Sequence, residues 1–99
     1  MIQYQKEYEI YIRRQGVGSK DQVADSVQSY ISYLNGVARH LNIIISPKLL
    51  SSEKDINILS SQLSKTRKVS AKTIKNYCSA MRHYVGLVRI QKIQGKLIP

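Results

Sequence analysis

Two histidines, one cysteine and six carboxylates are the side chains of this sequence that would serve acid–base, nucleophilic or metal chemistry. His40 and His83 have no histidine four residues away and no cysteine pair, and no His-Glu-x-x-His pattern occurs, so a metal site would need scattered ligands. Cys78 is a nucleophile only if a distant histidine activates it. It falls on an apolar helical face, where a thiol packs as a small hydrophobe. Glu7, Glu9, Asp21, Asp25, Glu53 and Asp55 sit near expected helix starts or on outer faces, where capping or solvation accounts for them. Gly16-Val17-Gly18 lacks the Lys and Ser/Thr of a phosphate-binding loop and follows no strand, so it reads as a flexible turn. The residues predict no catalytic group, no metal and no cofactor.

The basic side chains carry a stronger signal. Sixteen Lys and Arg against six Asp and Glu give a net charge of +10. Residues 1 to 61 hold seven basic and six acidic side chains, or +1. From Gln62 onward there are nine basic residues and no acid. A field of that sign and density attracts polyanions, either nucleic acid or an anionic membrane surface. An interfacial helix needs its apolar face free to insert, whereas a core this small needs that face itself. Nucleic acid is the expected partner, and a membrane is not.

Four helices are expected to position these groups. Ile2 to Arg14 has tyrosines at helical spacing (Tyr4, Tyr8, Tyr11) but also an alternating Tyr8, Ile10, Ile12. No partner strand follows it, and a lone strand leaves its backbone unpaired, so helix is the reading. The segment from Lys20 to Leu41 lines one face with Val23, Val27, Tyr30, Ile31, Leu34, Val37, Ala38 and Leu41. Ser19 and Gln22 form a capping box before it, with Asp21 and Asp25 near the positive end of its dipole. Its opposite face, Gln28, Ser29, Ser32, Gly36 and Arg39, reads as solvent-exposed. Ile43 to Leu50, around Pro47, reads as an apolar lid between helices, with room for a short extended stretch but no sheet. A third helix runs from Ser52, with Asp55 as capping partner, to about Ser64, and buries Ile56, Leu59 and Leu63.

The last helix, Ser70 to about Lys92, buries Ile74, Tyr77, Cys78, Met81, Tyr84, Val85 and Val88. Lys72, Lys75, Asn76, Ser79, Arg82, His83 and Gly86 project to the opposite half. Lys65, Arg67 and Lys68 form a basic cluster just ahead of it. The helix start, capped by Ser70, presents backbone amides and the positive dipole end, which suits a phosphate. Lys72, Lys75, Arg82 and Arg89 would follow a backbone, and Asn76 and Ser79 would reach base edges.

The whole is 99 residues and 11.3 kDa, which fits one domain, residues 1 to 99. Its core has neither Phe nor Trp, and its seven Tyr are expected at the core's edge. A single cysteine allows no internal disulfide, and the longest aliphatic run is Ile43-Ile44-Ile45, so a reducing cytoplasm is the expected setting.

The stretch Ser70-Ala-Lys-Thr-Ile-Lys-Asn-Tyr-Cys-Ser-Ala-Met-Arg-His-Tyr-Val-Gly-Leu-Val resembles the last core helix of the core-binding domain of phage-integrase-type tyrosine recombinases. That helix typically reads as Ser, then Thr-Ile, an aromatic or Leu, then Ser-Ala-Leu-Arg and a final aromatic; Met81 stands where Leu is usual. Leu50-Ser-Ser-Glu-Lys-Asp-Ile-Asn-Ile-Leu is similar to the family's third helix. The segment from Ser19 to Leu41 is similar to its second. The resemblance implies a SAM-like orthogonal four-helix bundle that grips duplex DNA beside a separate catalytic domain, in DNA integration or recombination. Family contacts fall on positions that here are Lys68, Lys72, Lys75, Asn76 and Arg82. The recombinase Arg, His-x-x-Arg and nucleophilic Tyr set is missing, since His83 precedes Tyr84-Val85-Gly86 and His40 precedes Leu41-Asn42-Ile43.

The sequence thus predicts an all-α, non-catalytic module for double-stranded DNA, with Lys65, Arg67, Lys68, Ser70, Lys72, Lys75, Asn76, Ser79 and Arg82 at the interface. A catalytic domain or partner protein would act in trans. The second reading is a small protein-interaction module, free-standing or attached to a restriction-type nuclease. Its basic face would dock an acidic partner, or Tyr4, Tyr8 and Tyr11 would mediate weak self-association.

Overall fold

The computed structural model describes residues 2–15 and 23–94, with side chains described for 2–14 and 27–90. Four α-helices account for nearly all of this: α1 (Gln5–Gln15), α2 (Val23–Leu41), α3 (Glu53–Thr66) and α4 (Ala71–Gln94). The all-α class is as the periodicity predicts. The expected cap at Ser19, with Asp21 and Gln22, lies outside the described residues. So does the Gly16-Val17-Gly18 turn.

The first helix starts three residues later than its sequence pattern suggests. Ile2 is buried and makes an isolated parallel bridge with the equally buried Ile45, and the Gln3 amide donates to the Ile45 carbonyl at 2.8 Å. Burying Ile2 takes its backbone out of water, and the loop before α3 supplies the partner. Tyr4 then turns the chain with a left-handed φ of 60°, and its carbonyl accepts the Tyr8 amide at 2.9 Å.

At the end of α2, Asn42 is left-handed (φ 55°) and the Ile43 amide donates back to the Ala38 carbonyl at 3.0 Å. This is the six-to-one bond of a Schellman motif, with Asn in the position more often held by Gly. The Ser46 carbonyl accepts from Leu49 and Leu50, closing a turn around Pro47. Ile45 and Leu50 are fully buried, so the segment is the expected lid.

The Ser52 hydroxyl accepts the Asp55 amide at 3.4 Å and caps α3. The return bond goes one residue further back: Asp55 Oδ2 accepts the Ser51 amide at 2.9 Å and the Ser51 hydroxyl at 3.1 Å. The helix runs to Thr66 rather than Ser64. Arg67 ends it with a left-handed φ of 58°, donating its amide to the Ser64 carbonyl, while the Thr66 hydroxyl donates to the Leu63 carbonyl.

All three other helices pack on α4. Two sequence expectations fail here, for one reason. Tyr8 and Tyr84 are not at the edge of the core; both are fully buried, with ring centroids 5.7 Å apart. In the absence of Phe and Trp they are the largest side chains available to fill the centre. The Tyr8 hydroxyl donates to the Ala80 carbonyl at 2.9 Å and the Tyr84 hydroxyl to the Gln3 carbonyl at 2.7 Å. Gly36 and Gly86, expected on outer faces, are instead covered by tyrosines. A Cβ on Gly36 would lie 2.6 Å from the Tyr77 hydroxyl, and one on Gly86 would strike the Tyr11 hydroxyl.

Burial holds the Tyr8 and Tyr84 hydroxyls protonated far above their ordinary value of 10.0. The unfolded chain therefore releases protons above pH 10 that the folded chain keeps, and stability falls as pH rises through that range. Tyr8→Phe removes part of this alkaline loss. At pH 7 it costs about 1 kcal/mol for the missing hydrogen bond. Urea unfolding of both proteins at pH 7 and above pH 10 checks the two effects.

Candidate nucleic-acid interface

Four residues, 67–70, join α3 to α4. Glu53 at the start of α3 meets Arg82 well along α4, Oε2 to Nε at 3.5 Å, so α3 runs back along α4 as a helical hairpin. The turn of this hairpin is where the charge collects. Lys65 is on the last turn of α3, Arg67 is its left-handed cap, and Lys68 follows, its amide donating to the Thr66 hydroxyl at 3.2 Å. Lys72 and Lys75 occupy the first two turns of α4. All five cations are exposed.

Ser70 organises the start of α4 as expected. Its hydroxyl accepts the Thr73 amide at 3.2 Å and donates to the Thr73 hydroxyl at 2.9 Å, and its carbonyl accepts the Ile74 amide at 2.9 Å. The amides of Ala71 and Lys72 have no acceptor within the helix and point out of its positive end. The first turn of α4 contains no acidic residue, unlike that of α3 with Glu53 and Asp55.

The remaining sequence-predicted residues separate from this corner. Arg82 is held toward α3 by its pair with Glu53; both side chains are more than half exposed, and such a pair contributes little stability. Asn76 is exposed, whereas Ser79 is half-buried and donates to the Lys75 carbonyl at 3.4 Å. Together Asn76 and Ser79 line one wall of a groove of about 210 Å³, whose other wall is Ser29, Tyr30 and Tyr33 of α2. Those three residues were not foreseeable as site residues from α2 alone. Their signal is a tyrosine pair at i, i+3 beside a polar face, which acquires meaning only when α4 lies next to it.

The tyrosines of the α2 wall belong to a wider cluster of rings. Tyr30 meets Tyr33 edge-on at 5.9 Å, Tyr33 meets Tyr77 at 6.0 Å, and His83 meets Tyr30 edge-on at 5.1 Å. His83, expected on the outer face, is thus half-buried against α2, and burial pushes its imidazole below its ordinary value of 6.5. Asp55 is also held below its ordinary range, first by the Ser51 amide and then by the Ser51 and Ser52 hydroxyls, which together outweigh the opposing effect of burial. Tyr8 is sealed in the core, so Tyr4, Tyr8 and Tyr11 do not form one outward surface. Cys78 is half-buried and packs against the core.

Among the described residues no three His, Cys, Asp or Glu side chains come together as metal ligands, and no helix is long and apolar enough to cross a membrane. No protein-family model, no curated protein and no solved structure matches this chain.

Because His83 binds a proton more weakly folded than unfolded, the unfolded chain takes up more protons as pH falls below 6.5. This effect is absent above that value and lowers stability below it. His83→Phe keeps a ring against Tyr30 and flattens the decline between pH 6.5 and 5. The contribution of Asp55 is lost only further down, as pH falls below 3.8. Chemical denaturation across this range, wild type against variant, separates the two.

Proposed function

We propose that this chain is a DNA-binding module without chemistry of its own, gripping the phosphate backbone of duplex DNA with the turn of the α3–α4 hairpin. One observation carries the reading: Lys65, Arg67, Lys68, Lys72 and Lys75 stand exposed around one helix start, in a stretch of sequence free of acidic residues. Cations gathered on one corner neutralise backbone phosphates and release the counterions condensed on them. The Ala71 and Lys72 amides add donors in line with the helix dipole. Lysines dominate the set, so affinity comes mainly from position and charge rather than from base sequence. The likeness of the α4 sequence to the last core helix of tyrosine-recombinase core-binding domains, and the four-helix architecture around it, support the same reading. Within it, the module holds DNA for a catalytic domain supplied separately.

Arg82 joins this grip at small cost, because its exposed partner Glu53 is easily exchanged for a phosphate. The acidic-partner reading uses the same cations, and salt dependence on DNA distinguishes it.

Binding to a random-sequence duplex of about 30 base pairs over a salt series is expected to give a log–log slope of roughly −5, about 0.9 for each of five or six phosphate contacts. Replacing Lys68, Lys72 and Lys75 together by Ala reduces the magnitude of the slope by roughly 3. Absence of binding at about 50 mM salt and micromolar protein overturns the reading. A second variant moves binding and stability in opposite directions. Lys72→Glu complements the α4 dipole and stabilises the fold by about 0.3 to 1 kcal/mol while weakening the complex. Thermal melting and the same titration check it.

A further inference from the structure

We infer that the groove between α2 and α4 is a subsite for a single unpaired nucleobase of the DNA whose phosphates lie on the neighbouring hairpin turn, an inference that rests on the DNA-binding reading above. The groove has the size of one ring system. Its volume of about 210 Å³ lies below the roughly 300 to 1,000 Å³ of sites that enclose drug-sized ligands.

Its walls have the chemistry of base recognition. Tyr30 and Tyr33 supply aromatic surface, and their rings cross at 87° rather than stacking on each other. Both rings are only partly buried and both line the groove, so aromatic surface remains for a third planar ring to pack against. Opposite them, Asn76 offers both a donor and an acceptor and Ser79 a hydroxyl, and Ser29 adds a hydroxyl from the tyrosine wall. No lining residue is charged, as suits a neutral base. An aromatic surface beside a cationic track is the general arrangement for holding unpaired nucleotides.

The groove is also correctly placed for a strand held by the cations. Lys72, Asn76, Ser79 and His83 follow one another at i, i+4, i+7 and i+11, a single stripe along α4. Its first member belongs to the basic corner, and the next two line the groove. A phosphate on Lys72 and the α4 amides leaves its adjoining base about one helical turn away, over Asn76. Bases inside a duplex cannot enter. A base that is bulged or extruded from the stack can, at the cost of unstacking in the paired case.

The test compares two duplexes of about 20 base pairs, one fully paired and one carrying a single unpaired adenine, in binding to the whole chain at low salt. The bulged duplex is expected to bind about 5- to 150-fold more tightly, the range that one base–aromatic stack supplies. With 2-aminopurine as the unpaired base, its fluorescence is expected to be quenched in the complex. Tyr33→Leu removes a stacking face. Ser29→Gln, at an exposed position of α2, fills the groove with a neutral side chain and leaves the core untouched. Each is expected to abolish the preference for the bulge while leaving affinity for the paired duplex unchanged, and circular dichroism melts verify that both variants fold. Equal affinity for the two duplexes overturns the nucleobase subsite while the phosphate grip stands. A preference that survives both variants overturns its assignment to this groove. Failure to bind either duplex overturns the grip and the subsite together.

Discussion

The hydroxyl of Tyr8, donating to the carbonyl of Ala80 inside α4, is the contact on which the packing of this small chain turns. A core without Phe or Trp has to take its aromatic volume from Tyr, and each buried Tyr brings a polar hydroxyl that must be bonded. A helical carbonyl already accepts one amide but has a second lone pair, and the small side chain of Ala80 lets the ring approach closely enough to use it. Tyr84 applies the same solution in reverse, reaching from α4 to the Gln3 carbonyl beside the Ile2–Ile45 bridge. The two bonds tie the start of the N-terminal segment and the first turn of α1 to α4. No described buried side-chain polar atom is left without a partner.

That arrangement decides what remains for a ligand. Because α1, α2 and α3 all pack on α4, its buried arc is wider than half a turn. Gly86 admits Tyr11 on one flank, and Gly36 of α2 admits Tyr77 on another. The exposed remainder is a narrow strip holding Lys72, Lys75, Asn76, Arg82 and Arg89. On so restricted a strip the exposed cations of α4 stay on one side of the helix. The same close approach of α2 and α4 brings Tyr30 and Tyr33 beside Asn76 and Ser79 and forms the groove.

The legible and illegible parts of the sequence follow from these contacts. Periodicity finds α2, α3 and α4 because each has a continuous apolar stripe, and the Ser52 and Ser70 caps are local signals readable within a few residues. The start of α1 is not local. Gln3 leaves helical geometry to bond Ile45, more than forty residues away, which no window on Ile2 to Arg14 contains. Gly36, Ser79, His83 and Gly86 project to outer faces only if each helix has one buried side. That assumption fails for helices enclosed by several neighbours. The Arg82–Glu53 pair and the two-sided groove are likewise products of tertiary folding, whereas the basic corner survives translation from sequence to structure because its five cations lie within eleven consecutive positions.

The two helices of the hairpin make an internal comparison. α3 begins with Glu53 and Asp55, which complement its dipole and stabilise it. α4 begins with Lys72 and has no acid in its first turn, an arrangement that opposes its dipole and adds to the repulsion among Lys65, Arg67, Lys68 and Lys75. Both helices have a Ser cap of the same kind, so capping is not what distinguishes them. Stability alone favours the α3 solution at both positions. An anion bound at the α4 start reverses the sign of every one of these terms: it complements the dipole, accepts the amides, and turns mutual repulsion among the cations into shared attraction. Under the proposed phosphate grip, the local electrostatic disadvantage of the free protein becomes a gain of the complex.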